Sequence, residues 1–332
     1  MMTDIQKQNR TPWIIAGVVI VLLAVFPAFN PDVYYLSFGL LLLMYIALAG
    51  SWNLMGGFTG YFSFGHAFFF GVGAYTVGVL LTKFGLSPFI TCWAAALLCA
   101  LLSFIIGFPV LRLKGPYFSI ATLCLSIIGM HIALNLRDIT GGATGLYLPI
   151  LDVDAFTSRT IFYEIMLALA VGITLLSRAI QKSRFGIGLF AIRENEVTAE
   201  TIGVGTTKMK LIAFALSGSL AALIGGIFAY YRSYIYPDTM FDFNLSMEVL
   251  IMVLIGGVGS WQGPIIGAII ITVINQLLIV LVPNIPPEVP RLIYGTLLIL
   301  VMMFMPIGIL PSLNMKLHQR KNNTSQLPVK GS

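Results

Sequence analysis

Charge is what this chain has least of. Only 10% of its 332 residues are charged while 58% are hydrophobic, and mean hydropathy is +0.93. Such a composition excludes a water-soluble surface for a protein of this length. Histidine and cysteine are equally scarce, at three each. Cys92, Cys99 and Cys124 all lie in apolar runs and read as small buried hydrophobes rather than as a disulfide or metal set. With no cluster of acids, histidines or cysteines suited to chemistry, neither catalysis nor a resident metal or cofactor is expected. The Gly-x-x-x-x-Gly-Lys-Ser/Thr loop that cradles nucleotide phosphates is also missing, so the chain has no route of its own to ATP hydrolysis. Finally, ionisable residues are nearly absent from the interiors of the long apolar runs, where gradient-driven carriers place them. Glu164 and Glu248 fall near outer helix ends and Arg178 near an inner one, where it can snorkel.

What remains is apolar sequence of spanning length. Runs near 12–29, 33–50, 62–82, 88–108, 117–134, 161–181, 209–231, 264–283 and 291–310 each approach the roughly 20 residues that a membrane helix needs. A shorter run at 247–258 reads as half a span, paired with the following helix through the turn Gly256-Gly257-Val258-Gly259. The expected fold is all-α, a polytopic transmembrane helix bundle of about nine or ten spans, some of them glycine-broken. The first run has no small-residue cleavage site behind it and is expected to be retained. The chain divides into a cytoplasmic N-terminus (1–11), a membrane domain (12–310) with a cytoplasmic loop near 182–208, and a polar basic tail (311–332).

With the N-terminus placed inside, only Lys83, Arg137, Arg159, Arg232 and Arg291 of the 19 basic residues face outward, as the positive-inside rule prefers. Both termini then lie in the cytoplasm. The pI near 9.2 reflects this topology, and no nucleic-acid partner is required.

Three local patterns carry function. In Gly60-Tyr61-Phe62-Ser63-Phe64-Gly65-His66 glycines interrupt an aromatic helix entry. Broken backbone at membrane depth survives only inside a bundle or beside a watery path. Ser63, Gly65 and His66, with Gly256, Gly257 and Asn275 further on, are therefore candidates for a translocation path or hinge. The alternatives are tight packing for the glycines, a satisfied helix-end histidine, and interhelical bonding for the amide. Ser119, Thr122 and Ser126, and Ser63 in its alternative reading, are expected to return bonds to their own helices. The loop segment 189–202 has apolar residues at 189, 192, 199 and 202 and ends at Gly203, predicting one short amphipathic helix. It reads as a docking helix carrying Arg193, Glu194, Asn195, Glu196, Ala199, Glu200 and Gly203, or otherwise as a solvated surface helix. Ala199→Arg is expected to spare insertion and uncouple transport. On the outer side, Thr140, Gly141, Gly142 and Gly145 suit contact with a delivering protein, or a plain glycine-rich connector.

These blocks, with Lys114-Gly115-Pro116-Tyr117 and Gly256-Gly257 to Gly267, resemble the permease subunits of branched-chain amino acid ABC transporters, of the LivM type. The resemblance spans roughly residues 50 to 310. It implies an inner-membrane importer subunit in the lipid bilayer, with a second homologous permease, two cytoplasmic ATPase subunits and an extracytoplasmic substrate-binding protein as partners. Only Ala199 and Gly203 match the Glu-Ala-Ala-x-x-x-Gly form of the importer docking loop. The implied cargo is leucine, isoleucine or valine, with other amino acids, urea or short amides as rivals. A gradient-driven secondary carrier acting alone is the alternative from another class.

Overall fold

The computed structural model describes residues 11–281 and scattered positions between 289 and 303. Helix α1 is Thr11–Val25, followed by a 3-10 turn at Phe26–Phe29; α2 is Val33–Trp52 and widens into a π-turn at Asn53–Gly57. Then come α3 (His66–Phe84), α4 (Pro88–Val110), α5 (Pro116–Asn135) and the short α6 (Arg137–Thr140). The long α7 (Ala155–Lys182) leads into α8 (Arg184–Glu194) and α9 (Glu196–Thr201). Helices α10 (Thr206–Arg232), α11 (Pro237–Met240), α12 (Phe243–Gly256) and α13 (Gly263–Leu281) complete the described chain. One two-stranded ladder, β1 (Leu146–Tyr147) against β2 (Tyr234–Ile235), ties two connecting loops together antiparallel.

Among the described residues, seven segments are long and apolar enough to cross a membrane: Val33–Gly57, His66–Phe84, Ile90–Val110, Pro116–Asn135, Ala155–Lys182, Thr206–Arg232 and Pro237–Gly256. The last corrects the half-span expected at 247–258, because α11 and α12 join into 20 residues. The first and eighth expected runs form shorter apolar helices, Gly17–Phe29 and Gly263–Leu278. Most of the expected run at 291–310 and the whole tail 311–332 lie outside the described residues, as does most of the N-terminus.

The centre of the bundle is α10 against α3 and α4, which also pack on each other. Helix α10 owes its place to small residues: Ala213, Ser217, Gly218, Ala221, Ala222, Gly225 and Ala229 are all buried. They let α3 approach at backbone distance. A methyl group on Gly73 would sit 2.1 Å from the Ala222 carbonyl oxygen, and one on Gly225 would sit 2.2 Å from that of Phe70. Without a hydrophobic drive between helices in lipid, this close packing is what associates them. Of the seven spans α5 is the least covered, with only 28% of its apolar window buried against 67% for α10.

Candidate functional site

The stretch Gly60–Gly65 is not helical, and in a membrane its backbone groups must find partners in the protein. They find side chains. The Trp52 indole donates to the Ser63 carbonyl (2.7 Å), the Ser119 hydroxyl to the Phe62 carbonyl (2.7 Å), and the Phe64 and Ala67 amides donate to the hydroxyls of Thr122 (3.0 Å) and Ser246 (2.9 Å). The Ser126 hydroxyl reaches the Phe64 carbonyl at 3.5 Å. The expectation that Ser119, Thr122 and Ser126 serve their own helices is thereby corrected: they replace the missing helix ladder, and only Thr122 also bonds within α5, to Ser119.

The second break, Gly257–Gln262 between α12 and α13, meets the π-turn that leads into the first through one amide. Asn53, in the π-turn, donates through Nδ2 to the Ser260 carbonyl and accepts through Oδ1 from the Gly259 amide, both at 3.0 Å. The turn needs Gly259 at φ +78°, and a side chain there would also strike the Arg193 guanidinium at 2.2 Å. Arg193 in turn donates to the Gly57 carbonyl (2.9 Å). Gln181 donates to the Gly259 carbonyl (3.5 Å), Arg178 lies 4.8 Å over the Trp261 ring, and Phe190 packs on Phe58. Two helix breaks about 200 residues apart and the root of the α8–α9 loop thus form a single junction.

The loop itself is two helices, not the one expected over 189–202. Asn195 is extended (φ −160°, ψ 109°), and its side chain caps α9 by accepting from the Thr198 amide; Ser183 caps α8 in the same way. Gly203, at φ +88°, ends the segment as its sequence position suggested. A second anchor holds α9 to the bundle. Lys210, 3% exposed, donates to Glu196 (2.5 Å), to the Tyr61 hydroxyl (3.1 Å) and to the Leu111 carbonyl (3.4 Å), while Tyr61 donates to the other carboxylate oxygen of Glu196. Burial raises the pKa of the Glu196 carboxyl, but the bonds from Lys210 and Tyr61 outweigh it and leave the group below the usual glutamate range. Burial first, then the Glu196 carboxylate, pushes the Tyr61 phenol well above its ordinary value, so it stays protonated as the donor. Thr206 adds a bond to Glu200.

Several expected site residues are placed differently. Ala199 is 1% exposed and lies beneath the loop, so it is not itself a contact surface, and an arginine there would disturb the packing under the loop. What projects outward is Val197 (62% exposed) and Ile202 (71%), with Glu194, Asn195, Glu200 and Gly203 exposed around them. Ser63 is buried and its hydroxyl accepts from the Gly65 amide. His66 is buried at the start of α3, 3.1 Å from the Ser51 hydroxyl, which is the helix-end alternative. Gly256 packs α12 against α13: a methyl there would lie 1.8 Å from the Gly263 oxygen. Asn275 is not brought to the junction; it sits about 18 Å further along α13. Thr140 is buried and bonds the Ala133 and Leu136 carbonyls. Gly141, Gly142 and Gly145 have positive φ, and Gly145 lies against the β2 backbone at Ile235. They shape the connector; Ala143, Thr144 and Tyr147 are among its exposed residues. Reasoning from sequence missed Asn53, Tyr61 and Lys210; the single signal for them was polarity at the ends of otherwise apolar runs.

A multi-pass helical bundle with glycine-broken helices and a polar junction at one end defines a membrane-embedded protein of the permease class. The family described as "Branched-chain amino acid transport system / permease component" matches residues 34–302, and the chain belongs to it. It is similar to the high-affinity branched-chain amino acid transport system permease protein LivM of Salmonella typhimurium, 31% identical over 296 residues, covering 81% of this chain and 68% of that protein. The LivM of Escherichia coli is 32% identical over 298 residues, covering 82% and 68%. The autoinducer 2 import system permease protein LsrC of Yersinia pestis is 30% identical over 220 residues, covering 64% and 60%. No solved structure matches.

Proposed function

We propose that this chain is the permease subunit of an ATP-driven inner-membrane importer of branched-chain amino acids, with both termini in the cytoplasm. It works beside a second homologous permease, two cytoplasmic ATPases and an extracytoplasmic binding protein, and it performs no chemistry of its own. Family membership and the names of the LivM relatives support the cargo. The observation that carries the mechanism is the α8–α9 loop. Its outer face offers two apolar side chains, Val197 and Ile202, and its root is bonded to the Gly57 carbonyl and lies against Gly259 through Arg193, and is bonded to α10 through Glu196. An ATPase gripping that face moves α8, and α8 moves the breaks, where backbone held by side chains yields more readily than a helical ladder. Access then alternates across the bundle.

The test is leucine uptake into proteoliposomes holding the complete transporter. Val197→Glu with Ile202→Glu is expected to leave the chain inserted, to release the ATPases on purification, and to lower uptake at least about tenfold, the loss of roughly 1.4 kcal/mol of docking energy. Uptake by this chain alone, or unchanged ATPase retention and uptake in the double variant, would overturn the proposal.

A further inference from the structure

Arg159, in the first turns of α7, and Arg232, the last residue of α10, line one cavity of about 390 Å³ together with Ile150, Val153, Ser158 and Tyr231. Counted along the helices, Arg159 is roughly 35 Å from Lys182 and Arg232 roughly 33 Å from Lys210, so the cavity stands at the opposite end of the bundle from the α8–α9 loop. Both arginines are short of acceptors. Arg159 makes one hydrogen bond, a long one of 3.4 Å from Nη1 to the Ala155 carbonyl, and its buried Nε has no partner. Arg232 makes no hydrogen bond or ion pair among the described residues. Nearby acids do not serve them: Asp154 spends its carboxylate on the Thr157 amide and hydroxyl (3.0 and 2.6 Å), and Asp152 is exposed.

Two planar guanidiniums with free donors in one recess fit a tetrahedral oxyanion, which accepts several bonds at once. The surroundings say where that anion comes from. The cavity lies at the terminal turns of two spans, the depth of lipid headgroups, with Tyr231 at the level where aromatic residues mark the interface. Two apolar side chains stand open at its rim, Ile150 being 75% exposed and Val153 45%; a soluble ion has no use for them, whereas a lipid lays its glycerol and first methylenes there. We propose that this cavity binds the phosphate of an anionic phospholipid, held by Arg159 and Arg232. The assignment does not depend on the transport reading.

Native mass spectrometry of the full chain, purified in detergent and offered phosphatidylglycerol or phosphatidylcholine at equal concentration, tests it. The wild-type chain is expected to retain phosphatidylglycerol preferentially, with the preference falling about fivefold for each arginine replaced by glutamine. Arg159→Lys, which keeps charge but not the fork, should hold an intermediate preference. If Arg159→Gln with Arg232→Gln fails to fold, exposed Arg232→Gln alone gives the reading. Equal retention of the two lipids by the wild type, or a preference untouched by Arg232→Gln, would refute the site. Loss of the preference in excess inorganic phosphate or excess leucine would equally overturn the lipid assignment, in favour of a free phosphate or a solute carboxylate.

Discussion

Lys210 offers the sharpest test of how the loop is held. All three protons of its ammonium are taken, by Glu196, Tyr61 and Leu111, and the side chains of Lys210 and Glu196 are only 4% and 15% exposed. Lys210→Met keeps the length of the stem and strands a carboxylate that has Tyr61 as its remaining donor. Removing one partner of a buried pair costs about 3–5 kcal/mol. Because Glu196 sits at the edge of the pair and can turn toward water, we expect about 2–3 kcal/mol here. Adding Glu196→Gln removes the stranded charge, so the double variant should recover part of that loss, giving a coupling energy of about 1.5–2 kcal/mol between the two sites. Equilibrium unfolding by denaturing detergent in mixed micelles, run on the four members of the cycle, measures it. The sign with pH also follows. Since the folded-state pKa of Glu196 is lowered, its contribution is fully present above the ordinary glutamate value and is lost as pH falls through the folded one. The gap between wild type and Glu196→Gln should therefore be constant near neutrality and close in acid. Additivity of the two substitutions within about 0.5 kcal/mol, or a gap that persists in acid, would refute the latch.

Two further outcomes follow from packing and capping. Gly73→Ala must push α3 away from the Ala222 carbonyl and is expected to lower stability by about 1–3 kcal/mol, whereas Gly172→Ala, with nothing within 4 Å, should be neutral or slightly stabilising in the same detergent titration. Asn195→Ala removes the side-chain cap of α9 and should cost about 1 kcal/mol locally, seen as faster amide hydrogen exchange over 196–201 with no change in α10.

The spans were legible because hydropathy averaged over about 20 residues depends little on detail. That same averaging hid the length of α12. Pro237 and Asp238 lower the local mean, yet α11 and α12 run nearly end to end, since a proline fits the first turn of a helix. The glycine-broken entry at Gly60–Gly65 was also legible, for only a conducting or well-buried segment tolerates it. Its partners were not. Ser119 and Thr122 look like any hydroxyls in a membrane helix, and nothing local tells a hydroxyl that bonds its own turn from one that replaces a neighbour's ladder.

The loop shows where periodicity misleads. Apolar positions 189, 192, 199 and 202 share one face of a continuous helix, which would bury all four. Leu189, Ile192 and Ala199 are indeed 1–3% exposed, but Ile202 is 71% exposed. The extended residue Asn195 breaks the helix between α8 and α9, and α9 ends at Thr201, so that Ile202, beyond its end, leaves the face that Ala199 buries. The signal was present as an Asn-Glu-Val-Thr start, a favoured N-cap in front of an acidic first turn, and the apolar repeat running through it outweighed it. Asn53 is the harder case. Its two bonds go to Gly259 and Ser260, 206 and 207 residues away, and a single asparagine after a tryptophan carries no mark of so distant a turn. The junction depends on both glycine breaks reaching the same end of the bundle. Since Arg193 donates to Gly57 and lies against Gly259, positions far apart in the chain, a sequence can hint at each part while the contact between the parts belongs to the fold alone.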